Sequence, residues 1–402
     1  MSNLNEIIDY IKNKIDYPIE KYNNDEQLYN VVKNGLGVSF ENELPYSYIS
    51  NISYKKRIHL GLYVLERNIT NDSHSFSSRY NIIVRSKSRR YNDISSYEYW
   101  KKNMDKVIEL AKEHLIKYKD EYLPEELPIE YGGVESNSTP VNHISLQHEC
   151  SLCLFRLGMP SSFPANLMTY MLIDLKNREF YPNKRTLKIL DISAGWGDRL
   201  SSACLMNDIY LACDPNSEMK SSYDKIIDTY GDSNKQCVYT CPFEDLKEDE
   251  VNMKYNCLYT SPPFFNLEIY NDEPTQSTSR YKEKNDWLNN FLKKCLIKCD
   301  NLLEDKSYIY LHLCDIKHPD NNFEYVETII DFCVKQLKWK YIGVYGHAMK
   351  DKEDKESETK ETRNIKNKNL LKPTKFVKKY FKGLRINNKN EVLVQSIWHF
   401  IK

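Results

Sequence analysis

Residues 187–200 read LKILDISAGWGDRL. Leu187 to Leu190 form a short apolar run with β character, and the residues after them are small: Asp191, Ser193 and Ala194, then Gly195 and Gly197 on either side of a tryptophan. A helical pattern takes over at Asp198. Strand, glycine turn and helix in that order form the opening unit of a parallel sheet with crossover helices. Without a Cβ, Gly195 and Gly197 let the backbone turn sharply and come close to a bound molecule, although such turns also occur with no ligand.

The same alternation continues to the end of the chain. Strands are predicted at Leu187 to Leu190, Ile209 to Cys213, Cys237 to Tyr239, Cys257 to Thr260, Tyr308 to Leu313, Tyr341 to Tyr345 and Val392 to Ile397. Helices are predicted at Asp198 to Met206, Ser217 to Tyr230, Asn285 to Leu303 and Phe323 to Leu337. This is the pattern of an α/β fold whose parallel sheet is covered on both faces. No helix separates the last two strands, so they are expected to pair antiparallel. Between them Lys350 to Asn369 is almost wholly polar and is expected to be a mobile insertion spanning about 347–390.

Upstream, the chain to about residue 135 reads as helices, the clearest running from Ser95 to Tyr118 with a stripe of Tyr97, Trp100, Met104, Val107, Ile108, Ala111 and Leu115. Leu123-Pro124, Leu127-Pro128 and Gly132-Gly133 then form a connector. The expected organisation is a mainly helical accessory or target-reading unit, 1–135, and a catalytic domain, 136–402, entered by a helix over Ser162 to Leu175.

Composition narrows the classes. Lys plus Arg and Asp plus Glu both total 57, so no whole-molecule field draws the chain to nucleic acid or lipid, and such attraction must be local. There is no secretory leader and no apolar run approaching about 18 residues, which predicts a cytoplasmic protein without a membrane span. The 11 scattered cysteines suit reduced thiols. Cys150 and Cys153 lie near His148, and Cys237/Cys241 and Cys295/Cys299 are closely spaced, but the pairs fall in different elements and no metal site is expected.

Three further places carry chemistry. The second strand ends at Asp214, where a carboxylate can accept from both hydroxyls of a ribose; it could equally cap the next helix, as could Asn216 or Ser217. After the third strand, Glu244 and Asp245 beside Phe243 could bind the amino edge and face of an adenine, or simply be solvated. The fourth strand runs into Ser261, Pro262, Pro263 and Phe264. Two prolines end the strand and stiffen the chain at the carboxyl edge of the sheet. The Ser261 hydroxyl and the Pro262 carbonyl could hold the N–H bonds of a base amine, with Phe264 as a stacking face for an extruded base.

With these residues together, the sequence resembles the S-adenosylmethionine-dependent amino-methyltransferases of nucleic acids over roughly residues 160–400. The resemblance implies a Rossmann-like seven-stranded methyltransferase sheet, with S-adenosylmethionine as cofactor at Asp191, Ser193, Ala194, Gly195 and Gly197 and its ribose on Asp214. It also implies catalysis by Ser261, Pro262, Pro263 and Phe264. A Ser-Pro-Pro-Phe motif tilts the target toward cytosine N4, while the order of the motifs keeps adenine N6 open. DNA is favoured as partner over RNA. Phosphate contacts are sought in Arg79, Arg85, Arg89 and Arg90, and in Lys375, Lys378, Lys379 and Lys382, which are interleaved with Phe376, Tyr380 and Phe381. Rival readings are an RNA base methyltransferase, a catalytically silent scaffold, and a small-molecule or protein methyltransferase. His312 and His347 lie at or near strand ends close to the expected cleft and read as structural histidines, with no base required because the methylated amine can lose its proton to water.

Overall fold

The computed structural model describes residues 4–18, 46–49, 52–54, 57–59, 62–65, 74–90, 94–117, 143–156, 160, 163, 165–180, 186–316, 322–348 and 394–402. From residue 188 onward it contains strands β1 (Lys188–Asp191), β2 (Ile209–Cys213), β3 (Gln236–Tyr239), β4 (Tyr255–Thr260), β5 (Leu303–His312), β6 (Lys340–Ala348) and β7 (Val394–Ile401). They lie in the order β3-β2-β1-β4-β5-β7-β6. The first five are mutually parallel, and β7 runs antiparallel to both β5 and β6. This is the Rossmann-like seven-stranded α/β sheet expected from the sequence, including its antiparallel last pair. The insertion between β6 and β7 lies outside the described residues from 349 to 393.

The pleat explains why both faces are covered. Ile189, Tyr210, Ala212, Cys257, Tyr259 and Tyr310 point to one side, into a core shared with the helices Ala165–Phe180, Asp198–Leu205 and Lys220–Tyr230. Their neighbours Leu190, Leu211, Leu258, Ile309 and Leu311 point to the other, against the helical stretch 284–302 and the helix Val326–Lys335. Alternating residues that are apolar on both sides are what a sheet buried between two helical layers requires.

The N-terminal residues contribute helices Leu4–Lys14, His74–Lys87 and Ser96–Lys117. Trp100, Val107, Ile108 and Ala111 of the expected stripe are buried against Ile11, Tyr17 and the helix His143–Arg156. They also contribute strands the sequence did not disclose: Leu62–Leu65 runs parallel to β6, and Tyr46–Ile49 lies outside it. Runs of four residues are too short to show a period of their own. No helix among the described residues is long and apolar enough to cross a membrane.

Strand order reverses between β1 and β4, so the connections leaving their carboxyl ends diverge and open a crevice. The glycine turn follows β1 and the proline motif follows β4.

Candidate functional site

That crevice is a cleft of about 1130 Å³, counted out to its open mouth. Ser193 and Gly195 form one wall, Ser261 to Phe264 the opposite one, and Asp214, Glu244 and His312 reach in from neighbouring strand ends. Glu268, Tyr270 and Gln276, on the chain that continues from the proline motif, close one side.

The glycine turn is held from beneath by Asp191, which is fully buried. One of its oxygens accepts from the Ser193 N–H (3.1 Å) and the Thr260 hydroxyl (2.7 Å). The other accepts from Arg199 Nε (2.6 Å) and the Tyr210 hydroxyl (2.7 Å). Burial alone would pull the Arg199 guanidinium down, and Asp191 and Tyr210 more than offset it, so the guanidinium keeps its charge. Arg199 also donates to the Ser193 carbonyl. Gly195 and Gly197 adopt φ of +59° and +85°, the left-handed region that glycine enters without cost. A Cβ on Gly197 would stand 2.8 Å from Ile226 Cδ1.

Asp214 faces the turn. Its oxygens accept from the N–H of Gly195 (2.8 Å) and of Asn216 (3.0 Å). A carboxylate offers about four lone-pair sites, so two remain toward the cleft, as many as a ribose diol needs. Burial raises Asp214 to about 6, held back by those two backbone donors. Asp198, at the start of the helix after the turn, is likewise raised to about 6 by burial, with the Ser77 hydroxyl and the Arg85 charge opposing. Asp198 lines the cleft, and its buried second oxygen meets no donor among the described residues.

On the third strand's loop, Phe243 is buried and Glu244 enters the cleft. Glu244 Oε1 accepts from Arg280 (3.2 Å) and the Tyr281 hydroxyl (3.2 Å), whereas its buried Oε2 meets no donor among the described residues. Gln276 Nε2, also on the cleft, is likewise buried without a partner there.

The proline motif is joined to the glycine turn by one bond, from Ser193 Oγ to the Ser261 carbonyl (2.9 Å). Ser261 Oγ lies 2.8 Å from His312 Nδ1. Phe264 is half-buried at the cleft, its ring edge-on to His312 at 5.6 Å. Phe265 then takes φ +45°, a conformation that costs a non-glycine residue about 1–3 kcal/mol, and is held there by Trp287 and Phe323.

The structure thus gathers Ser193, Gly195, Asp214, Glu244, Ser261, Pro262, Pro263 and Phe264 around one cleft. Asp191, Ala194, Gly197 and Asp245 do not line it. Asp191 shapes the turn from below, Gly197 packs on Ile226, and Asp245 points outward to pair with Arg280.

Arg85 is a correction. Its helix turns it inward, where it is 3% exposed and donates to the Pro160 carbonyl (2.7 Å), and burial lowers its pKa; no phosphate can reach it. Arg89 is at the surface and pairs with Asp272 (3.0 Å), while Arg90 lies opposite Glu268 in a two-stranded ribbon. Arg79 falls on the helix His74–Lys87, with its side chain outside the description. Lys375, Lys378, Lys379 and Lys382 lie outside the described residues.

Glu268, Tyr270 and Gln276 are not singled out by the sequence, and His312 and Asp198 are given no site role there. His312 meets Ser261 only because β5 lies beside β4. Asp198 is reached by Ser77 from the N-terminal helix, 121 residues away.

No protein-family model matches the sequence, and no curated protein matches it. Among solved structures, similarity extends to TehB from Haemophilus influenzae, with 8% identity over 58% of this chain and 61% of that one at a TM-score of 0.32. It also extends to magnesium protoporphyrin IX methyltransferase from Synechocystis with bound SAM, with 9% identity over 59% of this chain and 77% of that one at a TM-score of 0.33. A SAM-dependent O-methyltransferase from Thermotoga maritima gives 9% identity, 60% and 66% coverage and a TM-score of 0.31. The chain spans about 61% of the length of TehB. These likenesses are distant, and the fold rests on the strand order and register described above.

Proposed function

We propose that the protein is an S-adenosylmethionine-dependent methyltransferase acting on the exocyclic amine of a nucleic-acid base, cytosine N4 or adenine N6, with DNA as the favoured polymer. The observation that carries this is the meeting of a glycine turn and a Ser-Pro-Pro-Phe turn across one switch-point cleft, tied by the Ser193–Ser261 bond.

The cleft's unmet polar atoms suit the cofactor. Asp214 would hold the ribose hydroxyls, Glu244 Oε2 the adenine amine, and Asp198 Oδ2 the methionyl ammonium. When bound, the cofactor supplies an electrophilic methyl on sulfonium. The chain's own part is alignment and exclusion of water. Phe264 offers a face for a flipped base, and Ser261 holds the amine's N–H so that its lone pair points at the donor. The first 135 residues would serve as an accessory or target-reading unit. Arg79, Arg89 and Arg90, together with the lysines from 375 to 382, would supply phosphate contacts.

The test is to incubate the chain with isotopically labelled methyl donor and matched DNA and RNA, then digest and weigh the nucleosides. Label is expected in N4-methyl-deoxycytidine or N6-methyl-deoxyadenosine. Replacing Ser261, Pro262, Pro263 and Phe264 by alanine should abolish it while leaving S-adenosylhomocysteine binding within about threefold. Label confined to ribonucleosides would reassign the polymer, and cofactor binding with no product in either would favour the silent scaffold.

A further inference from the structure

We infer that His312 is a positioning residue that turns the Ser261 hydroxyl into an acceptor facing the cleft and takes up its proton; this rests on the base-amine reading above. Serine is a neutral acceptor, and its one hydrogen can spoil it. If that hydrogen points into the cleft it opposes the amine's N–H; if it is taken from behind, both oxygen lone pairs are left for the amine.

The structure supplies a group behind it. Ser261 is the first residue after β4 and His312 the last of β5, and the parallel register that pairs Thr260 with Leu311 brings the two side by side. Oγ and Nδ1 are 2.8 Å apart. Phe163 at 5.5 Å and Phe264 at 5.6 Å both meet the imidazole nearly edge-on, fixing its plane, and the histidine is 6% exposed. A ring so clamped keeps one nitrogen aimed at the hydroxyl. With Nδ1 unprotonated, the hydroxyl donates to it.

In the transfer step the amine nitrogen bonds to the methyl carbon as the carbon–sulfur bond breaks, its electron pair leaving with sulfur. The nitrogen becomes cationic and gives one N–H proton to Ser261 Oγ, whose own proton passes to His312 Nδ1. After the product leaves, the proton returns through Ser261 Oγ to water in the open cleft. Charge is thereby relieved at the amine without a carboxylate at position 261.

Two measurements test this on the full chain. Long-range proton–nitrogen NMR of the ligand-free protein should show His312 Nδ1 unprotonated, with a resonance that moves in Ser261→Ala. A protonated Nδ1, or no response to Ser261→Ala, overturns the proposal whether or not any base is methylated. In kinetics, His312→Ala should lower kcat about 100-fold, the lower end of general acid–base effects, with base KM and S-adenosylhomocysteine affinity nearly unchanged. His312→Asn, whose amide oxygen can take the hydroxyl's hydrogen but not keep a proton, should recover about tenfold of that loss. Equal losses in the two variants, or a loss confined to KM, overturn it. Absence of methylated product from the wild type would instead sink the base-amine reading and leave the NMR result to decide the hydrogen-bond polarity.

Discussion

The two walls of the cleft are made rigid by different means. The wall after β1 is fixed by hydrogen bonds: Asp191 gathers Ser193, Thr260, Arg199 and Tyr210, so the turn's shape depends on a buried ion pair. The wall after β4 is stiffened covalently, by two pyrrolidine rings, and also carries the Ser193–Ser261 and Ser261–His312 contacts, the Leu267 N–H bond to the Phe264 carbonyl and the packing of Phe264 on His312. A wall built from a network cannot lose a member cheaply, whereas a wall stiffened by its own backbone can exchange its reactive side chain and keep its form. Stability and chemistry are therefore expected to separate between the two.

The strongest way to break that contrast is a pair of variants. Asp191→Ala strands the Arg199 charge in the core and should cost about 3–5 kcal/mol, read from urea unfolding. Ser261→Ala should shift unfolding by no more than about 1 kcal/mol while removing methyl transfer. Comparable destabilisation in both would erase the distinction.

Gly197→Ala comes next. The left-handed backbone and the approach to Ile226 should together cost about 1–2 kcal/mol, seen as a lower melting temperature, with cofactor binding weakened in step.

A third prediction sharpens the electrostatic side. Asp214 and Asp198 are both raised to about 6 by burial, and each is ionised in its proposed contact with the cofactor, so S-adenosylhomocysteine affinity should be full well above pH 6 and fall as pH drops through it. The loss should steepen toward about a hundredfold per further pH unit, by linkage of two protons to binding. Calorimetric titration checks this, and Asp214→Asn should bind weakly and keep only the shallower one-proton slope of Asp198. Smallest of all, Pro263→Ala should change stability by under about 1 kcal/mol and lower turnover only severalfold, because one ring still stiffens the turn.

Much of this architecture could be read from local sequence. The seven strands announce themselves because each is a β-rich run bounded by polar or turn residues, and the glycine and proline turns stand out because few other residues do that work. What stayed hidden depends on which strands become neighbours. Asp191 reads as part of a ligand loop until β2 and β4 bring Tyr210 and Thr260 to it. His312 reads as structural until β5 is known to flank β4. Arg85 reads as part of a surface charge run, yet Ser77, Asn81 and Arg85 recur every fourth residue, a polar stripe on one helical face, and all three are buried. That spacing was the available signal.

The helix His74–Lys87 has a practical consequence. Asn81 bonds the Trp196 carbonyl (2.6 Å), Ser222 bonds the Tyr80 carbonyl (2.7 Å), and Ser77 bonds Asp198. Residues well before the connector thus brace the glycine-turn side of the cleft from outside. A truncation starting at residue 136 would strip away this buttress and wet the carboxylate behind it, so a fragment starting at His74 is expected to melt at a higher temperature than one starting at 136.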